Sequence, residues 1–529
     1  MRRFDTIIIG SGLSGIHAAC PLVEAGYAVA MLDVGEDDSR VLEAGSAMTF
    51  AEHRRLDPTQ QRIFLGEDLS GIGAFEQDAG HAGTMTSGRR SYVVRSAPEL
   101  LPTKSSDAVI TESLARGGLS EAWGAVCGFL DEEECAVVGI PAEEMPEHYQ
   151  AVIERIGVSG PKFRFDLQPP VKLDDNHMEL LRRYARKKNH LRTQGYTLTQ
   201  PALALLSRDK GARRATDYRD MDFWDNIGRS VYRGHYTLEG LERQPNFSYI
   251  PRRLVSHVAA TASGVRITAE DVDTGNALIY EARGVVLAAG SVNTTRILLA
   301  SFGRYDEPVP IILKNNYLVP SVLLARLGRA PDPQHHSLCQ LVLESAKRRS
   351  GMMSAYVQLY SYGALLLHKL LRYVPLPVPH ALQALALLVP SIVLADIRFP
   401  SIASPARYLT LRKGSARDFV EIVHPSLPSG DRAEVRNIKR ALRSLGLLPL
   451  RTIESPYGAT SHYAGGIPSS ATPLLGVLSV DLKGKLRGAE GIFVADTASW
   501  HALPAKPPGL TVMANANRIG VHMRDYLKH

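Results

Sequence analysis

Residues 6–15 read Thr6-Ile7-Ile8-Ile9-Gly10-Ser11-Gly12-Leu13-Ser14-Gly15. The β-branched apolar run suits a strand buried on both faces. It opens directly into Gly-x-Gly-x-x-Gly. Outward from this stretch, Ile16, Ala19, Leu22 and Val23 share one face of a helix that Gly26 stops. A second strand, 28–32, ends in Asp33. Each part has a task in binding a dinucleotide. Gly10 makes the tight turn, Gly12 lets the backbone approach a pyrophosphate, and Gly15 allows close packing of helix on strand. The helix N-terminus, with Leu13 and Ser14, offers unpaired N–H groups to the phosphates. Asp33 is placed to accept hydrogen bonds from ribose hydroxyls. The motif alone does not separate NAD from FAD.

The other end of the chain decides between them. Gly491-Ile492-Phe493-Val494-Ala495-Asp496 reads as a strand ending in an acid. A loop of small residues and prolines follows, and a helix starts at Gly509. A second strand, acidic turn and helix N-terminus, so far away in sequence, suit a long flavin dinucleotide gripped at both ends.

With these segments the sequence resembles the glucose–methanol–choline (GMC) oxidoreductases. The resemblance rests on Gly10 to Gly15, on Val285-Val286-Leu287-Ala288-Ala289-Gly290-Ser291, and on Phe493 to Asp496 with Pro508 to Ala514. Residues 113–124, with Gly117-Gly118 and Trp123, look like the family's flavin-facing loop and are closer to its pyranose-oxidase-like branch. The matches run from residue 6 to residue 520 and hardly touch the substrate side. They imply an α/β fold, a Rossmann-like FAD-binding domain with an inserted α+β substrate domain. The expected FAD-binding segments are 1–60, 105–165, 241–305 and 456–529. The expected substrate segments are 61–104, 166–240 and 306–455. The cofactor contacts so implied come from Gly10, Gly12, Leu13, Ser14, Gly15 and Asp33 near the N-terminus. Gly117, Gly118, Ser120, Trp123, Val255, Ala289, Gly290, Asp496, Pro508 and Leu510 complete them, with help from Asn293 and Thr294. The branch can link its flavin covalently through a histidine just before the tryptophan. Here that residue is Ala122, so the FAD is expected to be non-covalent.

The resemblance implies a flavin enzyme that oxidises a CH–OH group of an alcohol, sugar or lipid-linked substrate, with hydride passing to flavin N5. The proton must go to a base within hydrogen-bond reach, with a pKa near working pH, and histidine suits both needs. His462, followed by Gly465-Gly466, stands at the family's first active-site histidine. The second position, His or Asn before a proline, is Pro507 here and has no polar side chain. Lys506 and His501 are the candidate replacements. This departure leaves room for a reductase or isomerase acting on an unsaturated lipid, or for a flavoprotein without catalysis.

The chain has 529 residues, 45% of them hydrophobic and 22% charged, with a formal net charge of +7. This is the composition of a globular chain of more than one domain. The mild positive charge does not argue for nucleic acid. Cys20, Cys127, Cys135 and Cys339 show no metal-site or redox spacing, and no metal is expected. Scattered cysteines and the lack of a leader-like N-terminus suggest a cytoplasmic location. One segment, 364–395, is strongly apolar. Its run from Ala381 to Ala395 is too short and too broken to span a membrane. With Lys369, Arg372 and Arg398 on its flanks it is expected either to lie on a membrane surface, on the inner face, or to form buried or interface helices.

Overall fold

The computed structural model describes residues 4–37, 88–162, 164–218, 227–329, 332, 334–361, 375–425 and 431–529. The strand Phe4–Ile9 lies in a mostly parallel sheet. The parallel neighbours run Phe247–Ile250, Val29–Leu32, Phe4–Ile9, Ala277–Leu287, Ile492–Val494. Ile8 pairs with Val286, and Val286 pairs with Phe493. All three are buried, which is why these segments read as unbroken apolar runs rather than alternating ones. The first half of Ala277–Leu287 alternates in exposure. There it pairs antiparallel with Gly264–Asp271, which in turn pairs with Arg253–Thr261.

The two chain ends also meet as helices. Leu13–Glu24 packs on Gly509–Leu527, and Gly520 lets the backbones close. A Cβ there would stand 2.3 Å from the Ala18 carbonyl oxygen and 2.7 Å from Pro21 Cγ. Met145–Ile156 packs on the same C-terminal helix.

A second, antiparallel sheet is ordered Leu447–Pro449, Asn316–Leu323, Ile392–Arg398, Tyr356–Ser361, Leu341–Ser345, Tyr196–Thr199. Its residues alternate in use, as strand geometry requires. Val319, Val357, Leu359, Val393, Ala395 and Ile397 share a core with the helices Asp175–Thr193 and Asp431–Ser444. Leu318, Val342, Tyr360 and Leu394 point the other way and pack with Trp500, Leu503, Leu510 and Met513. The sheet is therefore a middle layer, with helices behind it and the C-terminal segment in front. A smaller sheet joins Thr103–Ser105, Phe419–Val423, Tyr408–Arg412 and Val309–Pro310.

The apolar run Ala381–Ala395 divides in two. Its first part belongs to the helix Val378–Leu388. Its last part opens the strand Ile392–Arg398, buried at every position. Residues 364–374 lie outside the described residues. Arg398, read from sequence as a cation flanking a lipid-facing surface, is instead a buried strand residue. No helix among the described residues is long and apolar enough to cross a membrane.

The crossing at Gly520 gives a direct test. Gly520→Val is expected to destabilise the fold by about 3 kcal/mol through overpacking, read from the urea midpoint. An unchanged midpoint would mean that the two helices do not meet there.

Candidate functional site

A cavity of about 360 Å³ opens at the carboxyl ends of the parallel strands and runs under the antiparallel sheet. Three turns build one end of it. At Gly10, φ is +96°, and a Cβ on Gly15 would stand 1.9 Å from the Gly10 carbonyl oxygen. The helix can follow the strand this closely only with glycine there. Ser11 Oγ donates to Asp33 and accepts from the Gly117 N–H at 3.0 Å, tying the first turn to the loop at 113–124. In that loop Gly117 and Gly118 have φ of +92° and +61°. A Cβ on Gly118 would lie 3.1 Å from Gly12 Cα.

The third turn joins the strand ends after Leu287 and Val494. Asp496 accepts from the Gly290 N–H at 3.0 Å and the Ala498 N–H at 2.9 Å, and from the Thr294 hydroxyl. Asp33 also accepts from Tyr249 at 3.2 Å. Burial pushes both carboxyls up to about 6, against hydrogen bonds that favour their ionised forms.

Most residues singled out from sequence line this one cavity. They include Gly10, Gly12, Leu13, Ser14, Asp33 and Gly118, and further Ser120, Trp123, Val255, Ala289, Gly290, Asp496 and Pro508. Gly15 and Gly117 act beneath the lining, by the close approaches just described. Leu510 is fully buried in the core. Trp123 donates to the Tyr232 carbonyl at 2.8 Å and covers Gly509, whose Cβ would stand 2.6 Å from the indole.

His462 lines the far end. Its loop is pinned by pairing of Tyr463 with Leu313 and of Ala464 with Ile312. Ser461, just before it, has φ of +55°. This left-handed conformation is strained for a residue with a Cβ. Gly466 presses on Thr295, which a Cβ would meet at 2.0 Å, so this glycine serves the packing of the loop on the helix Ser291–Ser301. His462 Nδ1 has no hydrogen-bond partner among the described residues. Burial holds its pKa well below 6.5, and the nearby charges of Arg398 and Lys314 act in the same direction.

Lys506 and His501 are placed elsewhere. Lys506 Nζ donates to Glu134 at 2.6 Å and to the Phe129 carbonyl at 2.8 Å. His501 Nε2 donates to the Ser469 carbonyl at 2.6 Å. Neither lines the cavity. The wall beside His462 comes instead from the antiparallel sheet, through Asn316, Gln358, Tyr360 and Arg398, none of them anticipated as site residues. Arg398 makes 2.9 and 2.8 Å bonds to Asp396 Oδ2, and Asn316 Nδ2 donates to Asp396 Oδ1 at 2.6 Å. Burial works against the Arg398 charge, but Asp396 and Tyr360 outweigh it and hold the pKa above its usual value. A signal was present in the sequence: Asp396 and Arg398 are two apart in an apolar run, which puts both on one face of a strand.

No family model matches this chain. Among solved structures, pyridoxine 4-oxidase from Mesorbium loti aligns over 98% of this chain and 99% of its own, with a TM-score of 0.58 and 13% sequence identity. The likeness shows a shared fold, here a mixed α/β fold with a Rossmann-like parallel sheet.

The Lys506–Glu134 pair is buried, with Glu134 fully inaccessible. Lys506→Met removes the nearer of that carboxylate's two cations, leaving Arg348 at 3.8 Å, and is expected to destabilise by about 3 kcal/mol. Adding Glu134→Gln, which keeps an acceptor for the Asp131 N–H, should regain most of the loss in a urea titration. Full stability of the single variant would argue that Lys506 is free for another role.

Proposed function

We propose that this chain is an FAD-dependent oxidoreductase of the GMC type that oxidises a CH–OH group of a small alcohol. The observation that carries the reading is the single cavity connecting the Gly10–Gly15 turn and Asp33 to His462. The residues present fit a flavin dinucleotide. Glycine cradles close on one another at Gly12 and Gly118. Buried acceptors left without partners among the described residues, Asn293 Oδ1 and Glu112 Oε1, also border the cavity.

Asp33 would hold the adenosine ribose. Gly12 and the turn after it would hold the pyrophosphate, and Asp496 with the Gly290 turn would hold the ribityl half. When bound, FAD supplies an acceptor for two electrons. Ala122 offers no side chain for a covalent link, so acid precipitation should release all the flavin. The antiparallel sheet, within 166–240 and 306–455, serves as the substrate side. Pyridoxine 4-oxidase, by its name an oxidase, supports an alcohol as substrate.

The residues on this wall divide the work. His462 stays neutral at neutral pH, because burial and two neighbouring cations oppose its protonation, and a neutral imidazole accepts the hydroxyl proton. Arg398, which lines the same cavity, would stabilise the oxyanion as that proton leaves. The Gln358 amide orients the substrate against the wall.

Two measurements test the base. In an anaerobic screen of alcohols, sugars and lipid-linked alcohols, a substrate should bleach the flavin. His462→Ala should slow the bleaching by about 100-fold or more while keeping the flavin. Normal rates would remove His462 from the role. The sign of the pH dependence follows from the lowered pKa. An imidazole that resists protonation remains a base as pH falls, so the rate should be flat down to about 6.5 and decline only in more acid solution. An acid limb centred above 7 would contradict the assignment.

A further inference from the structure

The far wall of the cavity carries more than alcohol oxidation requires. Arg398, Asn316 and Gln358 are 8%, 1% and 1% exposed, and each has one polar function left over among the described residues. Tyr360 donates to Gln358 Oε1 at 2.6 Å, which orients the amide and leaves Nε2 as a buried donor without a partner. Both hydrogen bonds of Arg398 run from Nε and Nη2, so Nη1 is unused. Asn316 gives its Nδ2 to Asp396, and its Oδ1 is a buried acceptor without a partner.

The strands bring these groups together. Asn316 and Tyr356 flank Arg398 in register, and Gln358 is paired with Asp396. Unmet polar groups buried at this density are costly, and their concentration on one cavity wall points to a ligand.

Charge narrows the ligand class. Among the described residues of this wall, the guanidinium of Arg398 stands beside one carboxylate, Asp396, while Lys314 lies outside the lining, where burial holds its amine well below its usual pKa. Lys314 is 1% exposed, and its Nζ donates to the Pro504 and Ala505 carbonyls. The other charged groups are matched or lie apart. Glu112 faces Arg296 at 3.8 Å, and Arg253 is paired with Asp271 at 2.8 Å. Asp33 and Asp496 belong to the nucleotide end, and Glu344 faces Lys506 and Glu134. The wall beside His462 thus has two unused donors among the described residues, one on a guanidinium and one on an amide. A carboxylate meets both needs at once, because a cation and an amide N–H make charge-assisted bonds to it. The spare Asn316 acceptor suits a hydroxyl proton.

We infer that the substrate is a hydroxy acid whose carboxylate is held by Arg398 and Gln358 while its hydroxyl faces His462. This rests on the proposed alcohol oxidation, and the test separates the two. Purified flavin-loaded protein is titrated with acid and amide partners, acetate with acetamide and benzoate with benzamide. Binding is followed by calorimetry and by the flavin difference spectrum, and neither readout needs turnover.

The acid should bind at least about tenfold more tightly than its amide. Arg398→Gln should abolish that preference at unchanged flavin content, and Arg398→Lys should restore part of it. Absence of acid preference in both pairs, including absence of binding by all four compounds, overturns the inference. So does an Arg398→Gln protein that loses flavin but keeps the acid preference, since Arg398 would then serve the cofactor. If acids bind selectively while no alcohol bleaches the flavin, the oxidation reading fails and the anion site stands.

Discussion

The structure depends on one strand being paired on both sides by the two ends of the chain. Val285–Leu287 lies between Ile7–Ile9 and Ile492–Val494, parallel to both. Parallel pairing has no hairpin to hold it, so it is secured by burial on both faces and by long crossover connections. Because all three strands run the same way, their carboxyl ends arrive together. Gly10, Gly290 and Asp496 are the residues just beyond those ends. Asp496 accepting from the Gly290 N–H, and Ser11 linking Asp33 to Gly117, are short-range consequences of that long-range pairing.

The antiparallel sheet meets a different constraint. Its back is apolar and packs on helices, so its register is fixed, since a slip of one residue would turn Val393, Ala395 and Ile397 towards the front. With the register held from behind, the front is free to carry polar groups. Asn316, Gln358, Asp396 and Arg398 occupy that freedom. Replacing such a set with apolar residues would often stabilise a protein, so the wall is an expense in stability that function has to explain.

The legible parts of the sequence were those where one residue type has one physical use. Glycines at 10, 12 and 15 between a strand and a helix admit few readings, and Asp33 and Asp496 stand at the ends of apolar strands. The front wall was harder because its residues come from strands far apart in sequence. Nothing local in Asn316 or Gln358 indicates that they face the same space. In sequence Arg398, with Lys369 and Arg372, flanks an apolar run that suits either a membrane surface or buried helices. The structure instead makes the run part helix and part central strand, and periodicity does not distinguish these over so short a stretch. Lys506 and His501 stand close to Pro507 in sequence. Closeness along a loop says little about direction, and Glu134 and the Ser469 carbonyl turn both side chains away.

Pro507 remains the departure that the fold has to absorb. A proline there can neither donate to nor accept from a substrate hydroxyl through its side chain. Lys314 fastens the chain just ahead of it by donating to Pro504 and Ala505. The loop that would carry a second polar residue is thus fixed by a buried amine from just before the strand Asn316–Leu323. Burial lowers the pKa of His462, and Arg398 acts in the same direction. On the proposed reading, positive charge beside the reacting oxygen replaces a hydrogen bond to it. Such charge acts at a longer range than a hydrogen bond and is strong where water is excluded. It favours the alkoxide but also makes the protonated imidazole less stable, so it helps the proton leave the alcohol and hinders its stay on His462. A substrate that brings its own negative charge to Arg398 offsets the second effect. The lack of a polar side chain at Pro507 and the placement of Arg398 are therefore coherent as one design, in which an anion on the proposed substrate would complete the electrostatics of the site.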